Sequence, residues 1–97
     1  EITPQAHNFN FKNSYHLYII LAKNRDKLFV YLKDNGINCQ VHYIPIYRQP
    51  FYRGVKVKDF PNSEEYYKKG ISLPLFPDLS KKNQDKVINL IREFYVN

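Results

Sequence analysis

The densest run of chemically able side chains lies between Val41 and Arg53 (Val-His-Tyr-Ile-Pro-Ile-Tyr-Arg-Gln-Pro-Phe-Tyr-Arg). It holds an imidazole at His42, phenols at Tyr43, Tyr47 and Tyr52, an amide at Gln49, and guanidiniums at Arg48 and Arg53. Such a set can hydrogen-bond the hydroxyls of a sugar, stack on its apolar face and pair with a phosphate. The same rings could instead fill the space between a loop and a sheet. Residue type leaves both readings open for His42 and Tyr43, and favours packing for Phe51.

Other chemistries lack their residues. The histidines, at 7, 16 and 42, form no metal-ligand spacing with Cys39 or with the acids. Gly36, Gly54 and Gly70 make no phosphate-cradling loop, and no Gly-x-Ser-x-Gly elbow occurs. Cys39 has no helix N-terminus to activate it and reads as a buried small hydrophobe. Glu64 and Glu65 are expected to serve a helix start and solvent. No catalytic residue and no metal ligand is assigned, and a self-contained active site is not expected.

The positioning elements follow from local pattern. Tyr15 to Leu21 is aromatic and β-branched and predicts a strand covered on both faces. Asn24 is placed to cap a helix over Arg25 to about Asn35, with Leu28, Phe29 and Leu32 at helical spacing and Gly36 as its left-handed stop. Ile37 to Ile44 predicts a second strand, with Cys39, Val41 and Tyr43 on one face and Gln40, His42 and Ile44 on the other. Pro45, which has no N–H to donate, ends it. Residues 45–60 are irregular, yet their aromatics Tyr47, Phe51, Tyr52 and Phe60 predict a packed segment. Asn62 and Glu65 suggest a capping box for a short helix, Ser63 to Lys69, ending at Gly70. Ile71 to Leu73 predicts a third strand. Ser80 caps a last helix to about Phe94, with a buried stripe of Val87, Ile88, Leu90, Ile91 and Phe94. The expected fold is α/β: a two-layer sandwich with a small, mostly antiparallel three-stranded sheet and helices on one face. Residues 1–14 read as an extended lead-in or linker, and 15–97 as the domain.

Composition bounds the rest. Ninety-seven residues make one domain. Hydrophobic residues at 43% and aromatics at 16% argue against disorder. No apolar run spans a membrane, and a lone cysteine points to a reducing compartment, the cytoplasm. The net charge of +6 is spread evenly along the chain. Its one acid-free basic stretch, Arg48, Arg53, Lys56 and Lys58, could meet a phosphate, but reads more simply as a solvated loop. The first residue is Glu1 and the chain contains no Met, which suggests either a processed start or a piece of something longer.

An ordered set of short pieces resembles the C-terminal small domain of the DegT/DnrJ/StrS nucleotide-sugar aminotransferases, which depend on pyridoxal phosphate and have the fold-type I architecture. The pieces are His16-Leu17-Tyr18-Ile19-Ile20, Arg25-Asp26-Lys27-Leu28, Leu32, Gly36-Ile37, His42-Tyr43-Ile44-Pro45, Gln49-Pro50-Phe51-Tyr52-Arg53 and Pro61. They continue through Glu64 and Tyr66 to Ile71-Ser72-Leu73-Pro74-Leu75-Phe76-Pro77 and a closing helix. They cover roughly residues 15–95. The His-Tyr-x-Pro and Gln-Pro-x-Tyr pieces most resemble members that aminate a UDP-linked keto-sugar on the route to pseudaminic acid.

The resemblance implies a parent that moves an amino group from glutamate to a nucleotide-linked 4-keto-6-deoxy sugar. Its pyridoxal 5'-phosphate is held through a lysine in a large N-terminal domain, through which the parent dimerises. No such motif is present here, so the chain alone is expected to be inactive. Carried over by position, His42, Tyr43, Ile44 and Pro45 are the substrate contacts, through backbone as much as side chain. Tyr47, Gln49, Tyr52 and Arg53 support them, with Tyr47 standing where relatives often have a second histidine. Lys69-Gly70 also departs from the usual pair, with a structural effect expected. The contrasting reading is a small basic module that binds single-stranded nucleic acid through exposed sheet aromatics; against it, no matching aromatic strand motif occurs.

Overall fold

The computed structural model describes residues 1–8, 10–12 and 14–96; Phe9, Asn13 and Asn97 lie outside the described residues. Its sheet has the order β1-β2-β3, both pairs antiparallel, from β1 (Ile2–Thr3), β2 (Tyr18–Ala22) and β3 (Gly70–Leu73). In β2, Ile20 and Ala22 turn inward and are buried. Ile71 of β3 lies opposite Ile20 and is also buried. Helices α1 (Arg25–Asp34) and α3 (Lys81–Val96) cover that face with Leu28, Leu32 and Val87, and half-buried Leu90, Ile91 and Phe94 join them. The two-layer α/β expectation holds.

Helix boundaries follow the punctuation of the sequence. Gly36, at φ +82°, ends α1. The Gly36 amide donates to the Lys33 carbonyl and the Ile37 amide to that of Leu32, so the last turn is closed and Ile37 drops into the core. Ser80 Oγ accepts the Asn83 amide at 3.1 Å and starts α3. Two expected caps differ. Asn24 precedes α1, but its backbone is left-handed and its side chain makes no cap bond; its carbonyl alone accepts Leu28 N–H. The Asn62/Glu65 capping box does not form, because α2 (Pro61–Lys69) begins at Pro61, whose missing N–H costs nothing at a helix start. Glu65 pairs instead with Lys69, one turn on. Ile88 departs from the buried stripe of α3 and is exposed.

The strand expected over Ile37–Ile44 is reduced to one bridge, Gln40 to Ser72. β3 is four residues long and Pro74 follows it, so it offers a short edge. The expected alternation still holds where the bridge forms: Cys39 is buried and Gln40 exposed. The third strand of the sheet comes from residues 1–14, where Ile2 and Thr3 pair with Ala22 and Leu21. Gly70 joins α2 to β3 at close quarters. A Cβ there would lie 2.8 Å from the Tyr66 carbonyl oxygen, closer than contact allows, which is the structural effect of this position.

Candidate functional site

Residues 45–60 coil into three short 3-10 turns, Ile46–Arg48, Pro50–Tyr52 and Val57–Asp59, none with a fully buried residue. This corrects the expectation of a packed segment. Phe51 is 88% exposed and its ring stands edge-on to that of Tyr52, because turns this short cannot turn every ring inward. Of its aromatics Tyr47 alone is half-buried; its ring stacks on Phe60 with centroids 4.5 Å apart.

Upstream, the half-buried His42 ring is 2.7 Å from the hydroxyl of buried Ser72 through Nδ1. The Tyr43 ring stands edge-on to the imidazole at 4.6 Å, and Tyr43 itself is 71% exposed. The peptide between them is cis. Ile44 and Ile46 also face solvent. A groove of about 550 Å³ runs between this segment and α2, with Tyr43, Pro45 and Tyr47 on one wall and Phe60, Tyr66 and Tyr67 on the other. Aromatic faces with hydroxyl groups at their rims suit a flat ligand that is apolar on its faces and hydroxylated at its edge.

Of the residues expected at a site, the fold brings Tyr43, Pro45 and Tyr47 into one groove and holds His42 and Ile44 beside it. Gln49, Tyr52 and Arg53 do not line it. Gln49 shapes the turns by backbone, its amide donating to the Ile46 carbonyl and its carbonyl accepting the Tyr52 amide. Of the basic stretch, Arg48 is engaged by Glu64 and lies over the Tyr67 ring; Arg48, Arg53, Lys56 and Lys58 are all exposed.

Glu64 and Ser72 are the site residues that sequence reasoning missed. Glu64 does not merely face solvent: its carboxylate accepts the Tyr47 hydroxyl at 2.5 Å, Arg48 Nε at 3.0 Å, and Arg48 Nη2. The Arg48 hydrogen bonds, then that of Tyr47, hold its carboxyl below the ordinary glutamate range. Burial and the neighbouring carboxylate push the Tyr47 phenol up. Burial lifts the Cys39 thiol to about 11, in keeping with an inert, structural cysteine.

No group of three metal-ligating side chains occurs among the described residues. Every lysine among the described residues is exposed except half-buried Lys69, which is paired with Glu65, and Lys81 and Lys82 stand at the start of α3.

Residues 1–92 match the model of the DegT/DnrJ/EryC1/StrS aminotransferase family. The chain belongs to that family. It is 36% identical over 102 residues to the spore coat polysaccharide biosynthesis protein SpsC of Bacillus subtilis (strain 168), a match covering 95% of this chain and 26% of that protein. It is 28% identical over 81 residues to the dTDP-3-amino-3,6-dideoxy-alpha-D-galactopyranose transaminase of Aneurinibacillus thermoaerophilus, covering 82% of this chain and 22% of that one. Among solved structures it superposes on Helicobacter pylori PseC, an aminotransferase involved in the biosynthesis of pseudoaminic acid, with a TM-score of 0.80 and 29% identity. That match covers 99% of this chain and 28% of the other. The chain thus spans about a quarter of the length of these proteins. The resemblance carried by the ordered motifs is borne out, and the family match begins at residue 1, ahead of the first piece that carried it.

Proposed function

We propose that this chain is the substrate-covering C-terminal small domain of a pyridoxal-phosphate-dependent aminotransferase. Its parent transfers an amino group from glutamate to a nucleotide-linked 4-keto-6-deoxy sugar in the synthesis of a surface polysaccharide or other glycan. The observation that carries this reading is the His42–Pro45 segment of a chain in this family: solvent-facing at Tyr43 and Ile44, tied to the sheet through Ser72, and bordering an aromatic groove. In this reading Tyr43 offers a ring face and a hydroxyl to the sugar nucleotide. His42, Ile44 and Pro45 complete the contact, and Tyr47, Gln49, Tyr52 and Arg53 support the segment from the turns behind it.

Pyridoxal phosphate supplies the electron sink for amino transfer when bound. Its lysine belongs to the preceding large domain, through which the parent pairs as a homodimer in the cytoplasm. This chain's part is to bind and orient the sugar nucleotide and to keep water from the reacting carbons; alone it is inactive. No helix among the described residues is long and apolar enough to cross a membrane. The nucleic-acid reading has no observation in its favour. Tyr18, the only aromatic in the described strands, packs against the core, and the exposed rings lie outside the strands.

The test is made in the enzyme that joins this chain to its N-terminal domain. His42→Ala and Tyr43→Phe are each expected to raise KM for a UDP-linked 4-keto sugar while the cofactor absorbance is unchanged. Unaltered turnover of that sugar in both variants would remove the contact assignment.

A further inference from the structure

The contact segment is held at two ends. On one side His42 meets Ser72 of β3. On the other, the turn that follows Pro45 presents Tyr47 and Arg48 to the Glu64 carboxylate, in the first turn of α2. A carboxylate is favoured there by the helix dipole. The arrangement is closed by rings: Tyr47 stacks on Phe60, and the Arg48 guanidinium lies 5.5 Å from the centre of the Tyr67 ring. Because α2 runs directly into β3 at Gly70, both fastenings belong to one continuous stretch of chain.

Apolar burial does not fix this region. Neither the three short turns nor α2 contributes a fully buried residue. The distance between the 43–47 wall and the α2 wall therefore depends on the Glu64 contacts and the ring stack. All three donors to Glu64 come from the turn beside the contact segment. The Tyr47 hydroxyl spends its proton on Glu64, so it serves the loop's position.

We propose that Glu64 is a positioning residue: by holding Tyr47 and Arg48 it sets how far the His42–Pro45 segment stands from α2, and so governs affinity for the sugar nucleotide without touching it. The link to affinity rests on the proposed function; the link to loop position does not.

The first measurement is amide hydrogen exchange on the 97-residue chain. Glu64→Gln is expected to speed exchange over residues 43–53 by about threefold, as fits a charge pair partly open to water, with α1 and α3 unchanged. Adding Arg48→Met should add little, since both changes break one shared contact. The second is steady-state kinetics of the joined enzyme. Glu64→Gln should raise KM for a UDP-linked 4-keto sugar by a similar factor, with kcat retained. Unchanged exchange over 43–53 overturns the role of Glu64 in loop position. If His42→Ala and Tyr43→Phe raise KM and Glu64→Gln does not, the positioning role in binding is overturned while the substrate face stands. If none of the three moves KM, the substrate face itself is wrong, whatever exchange reports about the loop.

Discussion

Ser72→Ala tests the first fastening in isolation. The substitution deletes a buried hydroxyl, in a residue only 5% exposed, that lies 2.7 Å from His42 Nδ1. The backbone pairing of Ser72 with Ile19 and Gln40 does not involve that hydroxyl, so the sheet should stay intact. A hydrogen bond between neutral groups contributes about 0.5–1.5 kcal/mol net. His42 is half-buried, so water can reach the ring and replace part of the lost bond. The expected cost is therefore in the lower part of that range, about 0.5–1 kcal/mol. For a domain this size each kcal/mol moves Tm by about 4–8 °C, so the fall should be roughly 2–8 °C. Differential scanning calorimetry reads the shift. Long-range ¹⁵N–¹H correlation spectra of the imidazole read whether the ring's surroundings change. Unchanged Tm together with unchanged His42 ring resonances would refute the claim that Ser72 holds this ring. A fall several times larger would mean that the hydroxyl supports the sheet as well, against the argument from backbone pairing.

Four further outcomes follow from the same geometry. Leu28→Ala, at a fully buried position of α1, should cost about 2–5 kcal/mol in urea unfolding. Val30→Ala, two positions on and 55% exposed, should stay within about 0.5 kcal/mol. Cys39, with its thiol raised to about 11, should resist alkylation at neutral pH in the native chain and react readily in denaturant, as a thiol-reactive dye would report. Glu64 is more acidic folded than unfolded, so its contribution is complete above the ordinary glutamate value near ~4.3 and is lost as pH falls through the lower folded value. The groups bonded to it, Arg48 and Tyr47 from the turn, keep their charge state in that window. Amide protection over 43–53, corrected for intrinsic rates, should therefore hold to about that pH and fall below it while α1 stays protected. Protection that is flat to lower pH would count against the ion pair.

Much of the fold was legible because its signals are local. Leu28 and Leu32 are one helical turn apart and both are buried. Gly36 stops α1 because only a residue without Cβ takes φ +82° at little cost. Ser80 caps α3 through its own hydroxyl. The family, too, was readable from short pieces in order. Elements whose partners lie far along the chain were harder. Nothing in Ile2-Thr3 marks a strand; β2 makes it one by offering Ala22 and Leu21 as partners. Ile37–Ile44 has a strand's alternation, but the short edge of β3 allows it only one bridge.

The same division runs through the candidate site. By itself the sequence determined which groups are present after Val41, where proline forbids a ladder, where the helices start and stop, and which family the chain resembles. Each depends on the chemistry of a residue and its near neighbours. Only the tertiary structure decided that Phe51 faces solvent, that Arg48 is paired with Glu64, and that Glu64 grips the turn beside the contact segment. Those outcomes depend on which distant groups arrive within hydrogen-bonding or stacking distance. Glu64 and Tyr47 are seventeen positions apart along the chain, a separation over which no local periodicity reports a contact.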